Sequence, residues 1–231
     1  MLALLSIPGW NSRAAADEQN VDVLVYGATP AGIAAAKAAG DSGRSVLLVE
    51  PTNRIGGMVT SGLSHTDFHS LESLSGAFLD FANRVEAHYA KVYGPASQEA
   101  KDSYHGTFGE PKVNLAVFQA MLAEQPRIDL KRQHYLEAVD VQGAKQEQKI
   151  ASATFIGSSG RKLIVTAKVF IDATYEGDLM AAAGVPWRVG REGRDEYGES
   201  LAPPAADKQL QAYNFRFIMT RDPKNRVRPV A

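Results

Sequence analysis

The sequence contains no cysteine among its 231 residues. Without thiols the chain cannot form disulfides, thiolate zinc sites or cysteine-ligated iron–sulfur clusters, and it cannot use a cysteine nucleophile. It also lacks an excess of basic residues, since 25 Lys and Arg stand against 26 Asp and Glu for a formal net charge of -1. Proteins that bind nucleic acid usually present a basic surface, so we expect no nucleic-acid partner.

Long apolar runs are missing as well. None reaches the roughly 18 residues that a membrane-spanning helix requires, so we expect no membrane span. Residues 1–10 (MLALLSIPGW) are apolar with no Lys or Arg before this run, and three alanines end at Ala16. A short apolar stretch followed by small residues is typical of an export signal, here cleaved near Ala16. Residues 1–20 are therefore either the signal peptide of an exported (periplasmic or secreted) protein or a disordered extension of a cytoplasmic one.

Residues 21–50 have the pattern of a βαβ unit. Residues 21–26 (VDVLVY) form a nearly continuous apolar, β-branched run, which is typical of a strand buried on both faces of a parallel sheet. A turn over residues 27–32 leads into an Ala-rich helix over residues 33–39, and residues 45–49 form a second buried strand. This order of elements predicts an α/β fold.

The turn of this unit carries the glycines expected of a dinucleotide-binding motif. Gly27 permits the sharp turn from strand to helix, and Gly32 lets the helix pack closely on the strands. The pyrophosphate of a dinucleotide binds to unpaired N–H groups at such a helix N-terminus, where the helix dipole is positive. Thr29 replaces the middle glycine of G-x-G-x-x-G, which places a side chain where backbone usually approaches phosphate. Pro30 partly offsets this, because its φ is already helical.

An acid completes the pattern. Glu50 closes the second strand, eighteen residues after Gly32, where a carboxylate can accept hydrogen bonds from both ribose hydroxyls of a nucleotide. The same charge would repel a 2′-phosphate, which argues against NADP. Glycine turn, buried strands and acid together predict a nucleotide site. The alternative is an α/β domain whose glycine turn serves packing only.

The rest of the chain predicts further helices and strands, ending in a β-meander and a half-buried strand. Apolar spacing favours helices over residues 74–92, 112–125 and 177–183, and strands over residues 128–130, 135–141, 150–156, 161–172 and 213–217. Residues 94–109 and 190–207 are polar or rich in glycine and proline, and we expect them to be irregular.

Three other polar clusters leave alternatives open. His65, Asp67 and His69 have the residue types of a metal site, but they also fit a polar loop at a cofactor or a plain surface loop, and we predict no metal. Glu176 and Asp178 could act as an acid–base pair, or Asp178 or Thr174 could cap the following helix. A basic stretch beside Trp187 could bind an anionic substrate or form a solvated loop; it contains Arg188, Arg191 and Arg194.

Several longer blocks resemble one family. They are residues 21–39 (VDVLVYGATPAGIAAAKAA), 47–67 (LLVEPTNRIGGMVTSGLSHTD), 110–122 (EPKVNLAVFQAML), 169–192 (VFIDATYEGDLMAAAGVPWRVGRE) and 197–202 (YGESLA). The sequence resembles the FAD-dependent oxidoreductases related to the flavin subunit of heterodisulfide reductase, within the glutathione-reductase-like group. The first block occurs in many nucleotide-binding proteins, whereas IGGM and DATYEGDL are more specific.

The resemblance implies a Rossmann-like FAD/NAD(P)-binding domain with a parallel sheet and a β-meander. It places Gly27, Pro30, Ala31 and Gly32 at the FAD pyrophosphate and Glu50 at the adenosine ribose. It also implies cofactor contacts from residues farther along the chain: Arg54, Gly57 and Met58 beside the phosphates and ribityl chain, the backbone of Leu136 at adenine, and Ala173 and Thr174 in a turn that closes over the cofactor.

The expected function is that of an FAD-dependent oxidoreductase with a small-molecule substrate and no iron–sulfur cluster in this chain. By this resemblance residues 21–190 are an incomplete FAD-binding domain, and residues 191–231 are a linker and the first strand of a truncated substrate domain. Two alternatives stand beside it. One is an NAD-linked dehydrogenase on the same fold, and the other is a truncated, non-catalytic nucleotide-binding fragment.

Overall fold

The structure is a computed structural model and describes residues 16–63, 65–144, 147–211 and 219–227. The described residues fall into two compact units. One lies within Met1–Ile55 and Phe118–Ala183, and the other within Gly56–Val117 and Gly184–Ala231. The predicted export signal (residues 1–15) and the predicted strand over residues 213–217 lie outside the described residues, so both remain predictions.

The first unit is built around one sheet. Its strands are β1 (Asp17–Tyr26), β2 (Val46–Glu50), β3 (Ile128–Arg132), β4 (His134–Gln142), β5 (Lys149–Gly157) and β6 (Lys162–Asp172). The order across the sheet is β3-β2-β1-β6-β5-β4. Pairs β3–β2, β2–β1 and β1–β6 are parallel, whereas β6–β5 and β5–β4 are antiparallel. The predicted α/β fold with a parallel sheet and a β-meander is confirmed.

Both faces of the central strands are buried, as the continuous apolar runs predict. On one face Leu24 and Leu47 join a core cluster with Phe155 and Val165 of the meander strands. On the other face Val23, Val25, Val46 and Leu48 are also buried, and α1 (Pro30–Asp41) packs on both strands. The carboxyl ends of β1 and β2 therefore lie side by side, next to the start of α1.

The described residues also form six further α-helices, α2 (Gly57–Thr60), α3 (Gly76–Tyr93), α4 (Gln98–Asp102), α5 (Pro111–Ala123), α6 (Asp178–Ala182) and α7 (Arg194–Tyr197), and two short 3₁₀ helices at Leu71–Ser73 and Pro223–Asn225. Helix α6 belongs to the first unit, and α5 begins in the second unit and ends in the first. The buried face of α3 follows its apolar spacing and includes Phe81 and Val85. No described helix has the length and apolarity needed to cross a bilayer.

The structure corrects three predictions of local structure. Strand β1 starts at Asp17, so residues 17–20 are not a disordered extension; they pair with β6, and Asn20 Nδ2 donates to Thr166 Oγ1 at 2.9 Å. Their polar sequence does not predict a strand, but pairing with β6 stabilises one.

Helix α4 lies within residues 94–109, which were expected to be irregular, and Ser97 caps it by accepting from the N–H of Ala100. Helix α7 lies within the predicted loop 190–207.

One charged contact ties three strands of the sheet together. Asp22 Oδ2 accepts hydrogen bonds from the N–H and the hydroxyl of Ser45, just before β2, and Asp22 Oδ1 accepts from Lys168 Nζ of β6 at 2.7 Å. The hydrogen bond from Lys168, followed by those from Ser45, holds the pKa of the Asp22 carboxyl well below its ordinary value of 3.8. The ionised Asp22 carboxylate of β1 therefore links β1 to β6 and to the residue just before β2.

We expect Asp22→Asn to lower the melting temperature at neutral pH. Because the folded pKa is depressed, the contribution of the Asp22 carboxylate is present above the unfolded pKa of about 4 and is lost as the pH falls through the folded value. The difference in Tm between wild type and variant should therefore shrink as the pH is lowered below about 4. Thermal unfolding followed by circular dichroism at several pH values measures it. Asp140→Asn, at an exposed aspartate of β4, is the control, and a difference independent of pH would contradict the prediction.

Candidate functional site

The turn between β1 and α1 abuts the turn after β6. Gly27 has φ +98°, and its N–H donates to the carbonyl of Val49 at 2.8 Å. A Cβ on Gly27 would lie 2.8 Å from the carbonyl carbon and oxygen of Ala173 and 2.9 Å from the nitrogen of Thr174. Both the positive φ and the close approach demand glycine here. The structure thus brings two predicted site segments, around Gly27 and around Ala173, into direct contact.

Gly32 is packed even more tightly. A Cβ on this residue would lie 1.9 Å from the carbonyl oxygen of Gly27 and 3.1 Å from the Cβ of Ala173. The first turn of α1 can therefore lie against the turn that precedes it only without a side chain at this position. This is the close packing predicted for Gly32 from the sequence.

Thr29 does not point its side chain outward. It is the N-cap of α1 and is buried, with a relative exposure of 6%. Its hydroxyl accepts from the N–H of Gly32 at 3.2 Å and donates to the carbonyl of Ala173 at 2.8 Å. The sequence places a side chain where the backbone of the motif usually approaches phosphate, and two hydrogen bonds direct the hydroxyl of that side chain into the protein.

The first turn of α1 keeps free donors. Pro30 occupies the first helical position and has no N–H. The N–H groups of Thr29 and Ala31 have no hydrogen-bond partner among the described residues, and Ala31 is exposed. Two unpaired N–H groups at the positive end of a 12-residue helix can bind an anion such as a phosphate.

Glu50 lies directly beside this turn. It is buried, with a relative exposure of 7%, and its Oε2 accepts from the N–H of Ala28 at 2.8 Å. Its Oε1 accepts from the N–H of Thr52 at 2.8 Å and lies equally close to the Thr52 hydroxyl. Since each carboxylate oxygen can accept two hydrogen bonds, Oε2 has capacity for one more donor. Neither Ala28 nor Thr52 was identified from the sequence as part of the site.

Thr174 and Asp172 hold the turn after β6. The hydroxyl of Thr174 accepts from the N–H groups of Gly177 at 2.9 Å and Asp178 at 3.2 Å. The N-cap of α6 is Gly177 and not Thr174 or Asp178, the two predicted capping residues, so Thr174 holds the turn that precedes the helix. The carboxylate of Asp172 accepts from the N–H and hydroxyl of Thr174 and from the N–H of Met180. Sequence reasoning missed Asp172, although its place directly before the Ala-Thr turn was a usable signal.

Tyr26 links the turn to the meander. Its buried hydroxyl accepts a hydrogen bond from the N–H of Leu136 at 3.1 Å, so this N–H is already used within the protein. Burial raises the pKa of Tyr26 above its ordinary value of 10.0, and the nearby carboxylates of Asp178, Glu50 and Asp172 raise it further against the lowering effect of the Leu136 hydrogen bond. Tyr26 is therefore neutral at physiological pH.

The remaining predicted residues follow Glu50 along the chain. The N–H of Arg54 donates to the Thr52 hydroxyl at 3.1 Å, so its backbone belongs to the same loop. Gly56 and Gly57 both have positive φ, +87° and +52°, which accounts for the glycine pair. Gly57 and Met58 open α2 in the second unit, and Met58 is 51% exposed.

The arginines of the basic stretch beside Trp187 have hydrogen-bond partners within the protein. Arg188 is hydrogen-bonded to Glu196 and Arg191 to Asp207, while Arg194 donates to a backbone carbonyl. The solvated-loop interpretation of this basic stretch is therefore favoured over an anion site. Among the described residues no group of three His, Cys, Asp or Glu side chains could hold a metal ion.

Comparison with known proteins identifies the family. The sequence model of a family described as FAD dependent oxidoreductase matches residues 22–231. The chain belongs to the FAD dependent oxidoreductase family. FAD is therefore its cofactor, and the family favours FAD over the NAD-linked alternative. No curated protein is significantly similar to the chain.

Several solved structures are similar to this FAD dependent oxidoreductase, and the first of the three that follow shares its fold. OxyS anhydrotetracycline hydroxylase from Streptomyces rimosus has a TM-score of 0.51 and 15% identity over 76% of this chain and 36% of the hydroxylase. THI4 from Thermovibrio ammonificans has a TM-score of 0.48 and 14% identity over 81% of this chain and 76% of that one. A geranylgeranyl bacteriochlorophyll reductase-like protein from Thermoplasma acidophilum has a TM-score of 0.47 and 23% identity over 75% of this chain and 45% of the reductase-like protein. The chain thus spans less than half the length of the hydroxylase and of the reductase-like protein.

The site of this family member fits the adenosine diphosphate part of FAD. Two unpaired N–H groups, of Thr29 and Ala31, suit the pyrophosphate. The buried carboxylate of Glu50 has capacity for a ribose hydroxyl, and the 2.8 Å hydrogen bond from Ala28 keeps it beside the phosphate-binding turn. Gly27 and Gly32 permit the close packing of this turn against Ala173 and of the first turn of α1 against Gly27.

Proposed function

We propose that this chain is the FAD-binding portion of an FAD-dependent oxidoreductase that acts on a small-molecule substrate. The pyrophosphate of FAD would bind to the N–H groups of Thr29 and Ala31, and Glu50 would bind the adenosine ribose. The single observation that carries this proposal is the hydrogen bond from the Ala28 N–H to Glu50 Oε2. It joins the phosphate-binding turn and the ribose-binding acid, so that one adenosine diphosphate group spans both.

The chain's own residues bind and orient the cofactor. When bound, the flavin supplies the redox chemistry, while the protein supplies binding, orientation and charge near it. The Glu50 carboxylate would repel a nucleotide that carries a 2′-phosphate. The turn at Ala173 and Thr174 packs against Gly27 and would form the wall on the opposite side from Glu50.

We extend the proposal to two residues that the family resemblance implies. Arg54 belongs to the loop that Thr52 organises beside Glu50, which supports a role near the phosphates. Leu136 would contact adenine through its backbone, in competition with its hydrogen bond to Tyr26. The implied roles of Gly57 and Met58 remain predictions, since both residues belong to the second unit.

Within the family we propose kinship with the flavin subunit of heterodisulfide reductase. The blocks IGGM at residues 55–58 and DATYEGDL at residues 172–179 support this finer placement. The absence of cysteine from the chain means that it carries no cysteine-ligated iron–sulfur cluster.

We expect the purified chain to bind FAD tightly and non-covalently. The chain is purified, saturated with FAD and freed of excess by gel filtration, and the visible flavin absorption that comigrates with the protein is measured. Heat or acid denaturation should release all of the flavin, because no covalent attachment is expected. Titration with NADH, read by protein fluorescence, is the matched comparison.

The outcomes separate the three functional readings. Retention of FAD with no response to NADH supports the proposal. A response to NADH without retention of FAD supports the NAD-linked dehydrogenase. Binding of neither nucleotide, together with an early, broad thermal transition, supports the non-catalytic reading and contradicts the proposed function.

A further inference from the structure

The Thr29 hydroxyl joins two segments that are distant in the sequence. It accepts from the N–H of Gly32 within its own helix and donates to the carbonyl of Ala173, 144 residues away. A hydroxyl has one proton to donate and two lone pairs, so the two hydrogen bonds use its only donor. The side chain therefore does more than cap α1, since a cap requires only the acceptor.

The segment that Thr29 reaches is itself anchored. The N–H of Ala173 donates to the carbonyl of Tyr26 at 2.8 Å, which continues the pairing of β1 with β6. The Asp172 carboxylate holds the N–H and hydroxyl of Thr174. The carbonyl of Ala173 is thus a fixed point, and the hydrogen bond to it restrains Thr29.

The two sides of the turn are held by different contacts. On one side the Ala28 N–H is tied to Glu50 at 2.8 Å, and on the other the Thr29 hydroxyl is tied to Ala173 at the same distance. The unpaired N–H groups of Thr29 and Ala31 belong to the same turn and to the first turn of α1. A turn held at both sides keeps its N–H groups in one orientation before any ligand arrives, which reduces the ordering cost of binding.

We infer that Thr29 is a positioning residue for FAD: its hydroxyl holds the first turn of α1 against Ala173 and thereby fixes the N–H groups that bind the pyrophosphate. This inference rests on the proposed function and deepens it. Glycine, the residue usual at this position of the motif, has no side chain and cannot make this tie. In this chain the hydrogen bond from the Thr29 hydroxyl to the carbonyl of Ala173 restrains the turn, whereas a glycine would leave the turn without this restraint.

The test compares variants that keep or remove the hydroxyl. Thr29→Ser keeps both hydrogen bonds, Thr29→Val keeps the shape and removes both, and Thr29→Gly introduces the residue usual in the motif. Thr166→Val, at an exposed threonine of β6, is the matched control for the same chemical change elsewhere. FAD affinity is measured by fluorescence titration well below the melting temperature, and Tm without FAD is measured separately.

We expect Thr29→Val and Thr29→Gly to bind FAD roughly tenfold more weakly, the scale of one lost hydrogen bond. Thr29→Ser should bind within about twofold of wild type, since the hydrogen-bonding group is retained, and Thr166→Val should bind as wild type does. Wild-type affinity in Thr29→Gly or Thr29→Val would overturn the inference while leaving the proposed function intact. A wild-type chain that fails to bind FAD would overturn both. If Thr29→Val does not fold, Thr29→Ser and Thr29→Gly decide alone.

Discussion

Replacing Gly32 with alanine is expected to give a chain that does not retain FAD and that unfolds at a markedly lower temperature. The new Cβ would lie 1.9 Å from the carbonyl oxygen of Gly27, so the first turn of α1 must move away from the turn before it. That movement displaces the N–H groups of Thr29 and Ala31 from their place beside Glu50. Because the obstacle is backbone, relaxation is costly, and we expect a loss of roughly 3 kcal/mol, the upper end for overpacking.

Thermal unfolding and flavin retention after gel filtration measure the two effects. A loss of roughly 3 kcal/mol lowers Tm by about 6–12 °C in a chain of this size. Ala38→Leu adds a larger side chain to an exposed position of the same helix and should change neither quantity much. Wild-type flavin retention in Gly32→Ala would show that the turn does not need its packed geometry, and would remove the structural basis of the site.

The second large effect is expected from Glu50→Gln. The carboxylate accepts from the N–H of Ala28 on one oxygen and from the N–H of Thr52 on the other. A carboxamide must turn its NH₂ group toward one of these donors, which breaks that hydrogen bond and leaves a buried N–H unpaired. The remaining oxygen then has less capacity for the ribose hydroxyl. We expect FAD affinity to fall roughly tenfold to a hundredfold, the value of one or more hydrogen bonds to a charged group.

Equilibrium titration with FAD measures this effect. Glu137→Gln removes one carboxylate charge from an exposed position of β4, where it pairs with Lys162, and serves as the control for net charge. It should bind FAD as wild type does. If Glu50→Gln and Glu137→Gln bind FAD with equal affinity, Glu50 does not contact the nucleotide and is not part of the site.

The two variants also report on different parts of the cofactor. Gly32→Ala disturbs the pyrophosphate-binding turn, whereas Glu50→Gln acts at the ribose-binding side of that turn. If both weaken FAD binding, one adenosine diphosphate group must span the turn and the acid, as proposed. A loss confined to Gly32→Ala would leave phosphate binding without the predicted ribose contact.

The βαβ unit was predictable because the sequence features that specify it lie within about thirty consecutive residues. The continuous apolar runs of β1 and β2 require burial on both faces, and the burial of Leu24 and Val25 confirms this. The positions of Gly27 and Gly32 followed from the short turn that such a unit needs. The place of Glu50 at the end of β2 followed from the alternation of elements. None of these conclusions required knowledge of a distant residue.

Residues that act through distant partners were missed or misread. The sequence favoured a Thr29 side chain directed toward the phosphate, but the carbonyl of Ala173 attracts its hydroxyl inward. The sequence indicated no role for Asp172, because its carboxylate acts by accepting a hydrogen bond from the N–H of Met180, eight residues farther along the chain. Residues 17–20 are polar and predict no strand, yet pairing with β6 makes them one.

The sequence by itself determined the parallel α/β core, the glycine turn and the acid at the end of the second strand. Apolar periodicity and glycine spacing act over a few residues and can therefore be read without coordinates. Only the tertiary structure decided which groups remain free to bind a ligand. A hydrogen bond between residues 29 and 173 depends on β1 and β6 being neighbours, and strand order in a sheet is a property of the folded chain as a whole.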